Sequence, residues 1–374
     1  MNYKGSSSVI IKCTMGMKNQ MPLIAMVVTQ FIYTAMFLLS KATISAGTKA
    51  SVFVAYRQAI ATLALAPFAY FSHRKTPPRL TLCLLFKIFI ISTCGMALSL
   101  NLYYAGLKYV SATFSTVANN TIPAMVFILA ICLRMETMSI TQKQGLAKIV
   151  GSALCLGGAM VFTFYKGPDL YAGVESDSPH AFAKRYTKEE WIKGSLLTLA
   201  AFFVWAVWLI VQTPILREYP STLRLTTLQC WFSCVTSAIY AAAVERQASS
   251  WKLGWNVNLL TVIFCGILVT GVTNSLQVWV VGKSGPVFTA IFSPLSLILT
   301  AIFSALIFHE SLHWGSVLGG VMLIGGLYAF LWGKNREDKA AVDASTAEVG
   351  LESIVASQPS DDNQQQVERD ALKI

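Results

Sequence analysis

PVFTAIFSPLSLILTAIFSALIFHESLHWGSVLGGVMLIGGLYAFLWGK, residues 286–334, reads as a long apolar helix with a proline inside it (Pro294), a glutamate at its exit (Glu310), a short turn and a second, glycine-rich apolar helix. Residues 112–166 repeat that pattern, with Pro123 in the part of Pro294. Phe114 corresponds to Phe288 and Glu136 to Glu310, both pairs at one common offset. A longer loop in the first copy resets the register, after which Gly151, Gly157, Gly158, Phe162 and Lys166 fall on Gly319, Gly325, Gly326, Phe330 and Lys334. An internal duplication in a hydrophobic chain is the sequence mark of a transporter fold, with the site expected where the repeats meet.

Composition sets the solvent. Of 374 residues 55% are hydrophobic and 13% charged, with a mean hydropathy of +0.57, which excludes an ordinary soluble domain and points to lipid. A bilayer core about 30 Å thick takes roughly 20 apolar residues per helix. Ten such runs are present, near 21–40, 51–71, 82–104, 112–133, 146–165, 192–212, 223–243, 259–280, 287–308 and 315–332. The expected fold is an all-α polytopic membrane protein, ten transmembrane helices in two five-helix repeats, 21–165 and 192–333. Five is odd, so the second repeat enters the membrane upside down and the two form an inverted pair. A cytoplasmic arm (1–20), an outer loop (166–191) and a disordered tail (334–374) complete the division.

In a soluble protein the net charge of +11 would suggest nucleic acid; here the basic residues gather at helix ends and report orientation. Lys4, Lys12, Lys18, Arg74, Lys75, Arg79, Arg134, Lys143, Arg217, Lys283 and Lys334 fall on one side, against Lys41, Lys49, Lys108, Arg246 and Lys252 in the opposite short loops. By the positive-inside rule both termini are cytoplasmic. No nucleic-acid partner is expected, the lipid bilayer is the main one, and the sequence leaves monomer and homodimer both open.

Polar side chains inside the spans mark candidate site residues. Span 1 carries Gln30, Tyr33 and Thr34 on one helical face, span 2 carries Arg57 and Gln58, and span 3 ends in Asn101, Tyr103 and Tyr104. Arg57 reads either as a side chain snorkelling to the outer headgroups or as the anchor for a carboxylate. In span 4, Asn119 and Asn120 precede Pro123, whose missing N–H frees the Asn119 carbonyl in mid-membrane. Pro294 repeats the device, so both prolines are candidate helix breaks or gates. Span 6 presents Thr198, Ala201, Trp205, Trp208 and Gln212 as a single stripe. Span 7 carries Gln229 near the position matching Gln58, and span 8 carries Thr270, Asn274 and Gln277, with Asn274 near the match to Asn101. Paired polar residues from matching helices suggest one central cavity.

Other motifs carry less. Gly282-Lys283-Ser284 lacks the leading glycine and strand of a phosphate loop. Asn119 to Thr121 is a glycosylation sequon placed inside a membrane helix. The eight cysteines have no paired metal spacing. His309, Glu310 and His313 match the helical zinc-protease pattern, but the matching Glu136 has no histidine near it. No metal and no cofactor are expected, and a zinc-dependent hydrolase or a non-transporting scaffold stands only as an alternative.

The stretches FVAYRQAIATLALAPFAYF (53–71), 101–123, FTFYKGP (162–168), LRLTTLQCWFS (223–233) and 277–310, in this order, resemble the EamA-type branch of the drug/metabolite transporter superfamily. More closely they are similar to its plant nodulin-like, "walls are thin"-related group, the UMAMIT amino-acid facilitators. The resemblance covers about residues 21–334. It implies two EamA repeats, no enzyme activity, and a central site between helices 1–4 and 6–9 that moves amino acids or related metabolites, auxin included, across the plasma membrane or the vacuolar membrane. Only the helix 4 and helix 9 positions draw support from the family pattern; the rest of the site list stands on the polar faces.

Overall fold

Apolar helices of membrane-spanning length dominate the chain, because a backbone in lipid must satisfy its own N–H and C=O groups. A computed structural model describes residues 4–45, 47–71, 80–110, 112–133, 135, 143–165, 169–171, 187–252, 257–308 and 312–357. Among the described residues nine helices are long and apolar enough to cross a membrane. Span 1 lies in Lys4–Ser45, span 2 is Ala50–Phe71, span 3 is Leu82–Leu107 and span 5 is Lys143–Phe164. Span 6 is Lys188–Glu218, span 7 Thr222–Val244 and span 8 Val257–Ser284; span 9 starts at Pro286 and span 10 lies in Trp314–Ser357. The tenth span of the sequence reading, span 4, is represented among the described residues by the shorter apolar helix Ile122–Cys132.

Two differences from the expected helices follow from proline chemistry. Span 4 is not one helix with a proline inside it but two pieces, Ala112–Asn119 and Ile122–Cys132, with Pro123 in the first turn of the second. There its missing N–H costs nothing. Span 9 breaks in the same way, into Pro286–Ala290 and Leu295–Phe308, with Pro294 in the intervening turns. Spans 3 and 8 share another irregularity, a π-helical segment at Ser92–Ala97 and at Cys265–Thr273. Each contains a Cys-Gly pair, Cys94-Gly95 and Cys265-Gly266, at equivalent positions of the two repeats, so the distortion is a property of the repeat. The glycine in span 8 permits close approach: a Cβ on Gly266 would lie 2.7 Å from Ile60 Cγ2 and 3.0 Å from the Arg57 carbonyl oxygen.

The chain divides into two compact units. The first, residues 1–137 and 152–327, contains the packing of span 2 on span 7 and of span 3 on span 6. It also holds a small antiparallel pair, β1 (Asp169–Tyr171) with β2 (Leu312–His313). That pairing puts the loop after span 5 and the loop after span 9 on one side, as an alternating topology requires. The second unit, residues 138–151 and 328–374, is held by the buried Lys148, whose Nζ lies 2.7 Å from Glu337 Oε2. The helix of span 10 runs on to Ser357, past Lys334 where a disordered tail was expected; its Ala, Glu and Lys content favours helix. Residues 358–374 lie outside the described residues.

Candidate functional site

A cavity of about 60 Å³, room for only a few waters, lies in the first unit among spans 1, 2, 3, 4, 6, 8 and 9. Its centre of charge is Arg57. The side chain is 3% exposed and is held from two directions. Nε donates to Thr270 Oγ1 at 2.6 Å and Nη1 donates to the Tyr104 hydroxyl at 2.9 Å, while the guanidinium carbon sits 5.8 Å from the centre of the Tyr104 ring. Met36 Sδ lies 3.8 Å from Nη1, and Tyr104 is itself fixed by Ser40, 3.1 Å from its hydroxyl. No carboxylate of the described residues is within 4.0 Å of Arg57. The sequence explains why: no Asp or Glu precedes Glu136, and between residues 191 and 309 only Glu218 and Glu245 occur, both at helix ends. Snorkelling is therefore not what Arg57 does; its head group turns into the protein.

Around this cation the cavity is amide-rich on one side and aromatic on the other. Gln30 and Tyr33 come from span 1 and Gln277 from span 8, with the Tyr33 hydroxyl donating to Gln277 Oε1 at 3.2 Å. Asn119 and Ile122 bracket the break in span 4, and Thr289, Ala290 and Ser293 border the break in span 9. Thr34 Oγ1 reaches the Ser296 carbonyl oxygen at 3.4 Å, tying span 1 to the second piece of span 9. Phe37, Tyr103, Phe202 and Trp205 provide the apolar wall. Trp205 is stacked on Trp208 with ring centres 4.6 Å apart.

Five of the expected site residues thus line the cavity: Gln30, Arg57, Asn119, Trp205 and Gln277. The other six polar or aromatic candidates do not. Gln58 donates to Ser233 Oγ at 2.8 Å and Gln229 donates to Gln212 Oε1 at 3.1 Å, both in helix seams. Asn101 Nδ2 is spent on the Ala97 carbonyl oxygen and Ser237 Oγ. Trp208 is 1% exposed behind Trp205, Asn274 is 1% exposed, and Asn120 is 4% exposed with both amide atoms unpartnered. Inward-facing polarity marks seams as well as cavities, because both exclude lipid. Pro123 and Pro294 sit at the two breaks beside the cavity. Tyr33 and Tyr103, which the polar faces of spans 1 and 3 also offered, line the cavity as well; Ser99 was missed, as was the holding role of Tyr104 and Thr270. His313 lies in a strand and not on a helix, His309 and Glu310 are outside the described residues, and the described residues contain no cluster of metal-ligating groups.

Paired five-span repeats of opposite orientation, with a polar cavity between interrupted helices, define a membrane transporter. The model of the EamA-like transporter family matches residues 20–158 and 192–332, one stretch in each repeat. The chain belongs to that family. It is 48% identical over 315 residues to WAT1-related protein At1g43650 of Arabidopsis thaliana, covering 84% of this chain and 92% of the relative. It is 34% identical over 352 residues to Protein WALLS ARE THIN 1 of the same plant, covering 90% of each. A crystal structure described only as that of a protein overlays with a TM-score of 0.57 at 15% identity, covering 81% of this chain and 97% of that one, which supports the fold alone.

Proposed function

We propose that this transporter is a facilitator for small carboxylates, amino acids or related metabolites with auxin among them, moved in either direction by alternating access through the Arg57 cavity. Arg57 carries the reading. It is buried, it lines the cavity, and it faces no carboxylate among the described residues. A cation inside a membrane-spanning fold is costly and marks a substrate path, and a planar fork of N–H donors suits a carboxylate. Gln30, Asn119 and Gln277 supply amide partners for the polar end of the substrate, and Trp205 covers its apolar body. The second piece of span 4 begins at Ile122, beside the cavity; the unpaired N–H groups at such a half-helix start favour negative charge. Passive movement follows from the acids: between residues 191 and 309 only Glu218 and Glu245 occur, both at helix ends, so the spans offer no carboxylate proton relay. The proposed setting is the plasma membrane with both termini in the cytoplasm.

Counterflow in proteoliposomes tests the reading with a panel of labelled amino acids and aromatic acids. Saturable exchange of a carboxylate, with a strongly raised KM in Arg57→Gln, is the expected result. Exchange confined to neutral or cationic solutes overturns the carboxylate assignment, and strict dependence on an imposed pH gradient overturns the passive mechanism.

A further inference from the structure

Spans 2 and 7 cross antiparallel in a seam of buried polar residues that the cavity does not use. Gln58, Gln229 and Ser233 are fully buried there and Thr62 is 8% exposed. Gln58 stands to Gln229 as Thr62 stands to Ser233, at one sequence offset, and the Cys-Gly pairs of spans 3 and 8 keep that same offset. The two glutamines are thus repeat equivalents, and so are the two hydroxyls. The register of the crossing adds a second relation. Where antiparallel helices bring residue 58 opposite 233, one turn along each brings 62 opposite 229 on the same faces.

Only one of these two equivalent bonds is made. Gln58 Nε2 donates to Ser233 Oγ at 2.8 Å. Its counterpart, Gln229 to Thr62, is not: Gln229 Nε2 goes to Gln212 instead, at 3.1 Å, and the Thr62 hydroxyl donates to the carbonyl oxygen of Gln58 in its own helix, at 2.9 Å. Gln58 Oε1, Gln229 Oε1 and Gln212 Nε2 remain without partners although buried. A fold with inverted repeats reaches its opposite-facing state by letting each repeat take the conformation of the other. We propose that Gln58–Ser233 and Gln229–Thr62 are alternative bonds that set the balance between the two facing states, the first closed in the state seen here and the second in its opposite. These four side chains are positioning residues, since none touches the cavity. The proposal rests on the alternating-access part of the functional reading and not on the substrate.

The test reads accessibility, so it does not depend on knowing the substrate. Ser99→Cys, at a position that lines the cavity, is labelled with a membrane-impermeant maleimide in right-side-out and inside-out vesicles, and labelling of the protein without this substitution is subtracted. Ser233→Ala removes the bond of one state and Thr62→Ala that of the other. The expected result is a shift of the outside-to-inside labelling ratio by roughly three- to tenfold in opposite directions, from the usual strength of a hydrogen bond between membrane helices, with the double variant returning close to the parent ratio. Ser233→Thr and Thr62→Ser keep both hydroxyls and keep the ratio. If an alanine variant does not fold, Gln58→Asn and Gln229→Asn shorten the reach of the same two bonds and are read in the same way. Shifts of the same sign, or no shift in a folded pair, overturn the proposal and leave the seam as static packing. A moving ratio in vesicles that exchange no carboxylate keeps the proposal and removes the substrate assignment.

Discussion

Replacing Arg57 separates what holds this fold together from what the cavity is for. Of the five N–H groups on the guanidinium, one on Nε is given to Thr270 and one on Nη1 to Tyr104. The pair on Nη2 has no acceptor among the described residues, and that pair is what a carboxylate would take. Removing one partner of a buried, charge-assisted contact costs about 3 kcal/mol, which is a roughly hundredfold rise in KM for Arg57→Gln. Arg57→Lys keeps the charge but loses the fork, so its KM falls between those of Arg57→Gln and the parent. Stability moves differently. A buried cation with no counter-charge is replaced by an apolar side chain of similar volume without loss, and often with gain, so Arg57→Met keeps or raises the thermal midpoint in detergent while exchange disappears. Counterflow kinetics and a melting curve on the same preparations measure both. A parent-like KM in Arg57→Gln refutes the anchor. So does an Arg57→Met protein that cannot be recovered folded, because Arg57 would then be structural.

Three further outcomes follow from the surroundings of Arg57. Tyr104→Phe keeps the ring under the guanidinium and removes the hydroxyl shared by Arg57 and Ser40; we expect KM to rise by roughly tenfold, the value of one charge-assisted bond, with kcat little changed in the same assay. Gly266→Ala drives a methyl group to 2.7 Å from Ile60 Cγ2 and 3.0 Å from the Arg57 carbonyl oxygen; overpacking of this kind costs about 1–3 kcal/mol, read as a lower melting midpoint together with a higher KM. Trp205→Ala removes the outer member of the tryptophan stack; competition by aromatic carboxylates weakens about tenfold, whereas competition by short aliphatic ones changes little.

The span count and the inverted repeat were legible in the sequence because they depend on length and parity alone. Roughly 20 apolar residues make a span in any context, and an odd number of spans per repeat fixes the inversion. The breaks at Pro123 and Pro294 were also legible as chemistry, since proline removes a donor wherever it stands, although the split of each helix into two pieces appears only in the structure. The cavity wall was legible in part. Polarity inside an apolar span and the match between repeats singled out Gln58, Asn101, Gln229 and Asn274, of which all but Asn101 are buried, yet which inward face meets another helix and which meets open space depends on neighbours brought in from distant spans. The grip on Arg57 had no local signal at all. Thr270 and Tyr104 lie 213 and 47 residues away in sequence, and neither residue type is unusual in a membrane helix.

The solitary charge has an electrical consequence. Arg57 belongs to one repeat only, its equivalent in the other, one place before Gln229, being Leu228, and a monoanion crossing such a carrier without a co-transported ion takes one net negative charge through the membrane field. Each 100 mV of membrane potential is worth about 2.3 kcal/mol per charge, a roughly fiftyfold ratio at equilibrium. With the cell interior negative, a passive pathway for such a solute runs outward toward that ratio without any pump, while the same pathway for a zwitterion is indifferent to voltage. For a passive carrier of this kind, the direction of net flux is written in the charge of its cargo and the polarity of its membrane.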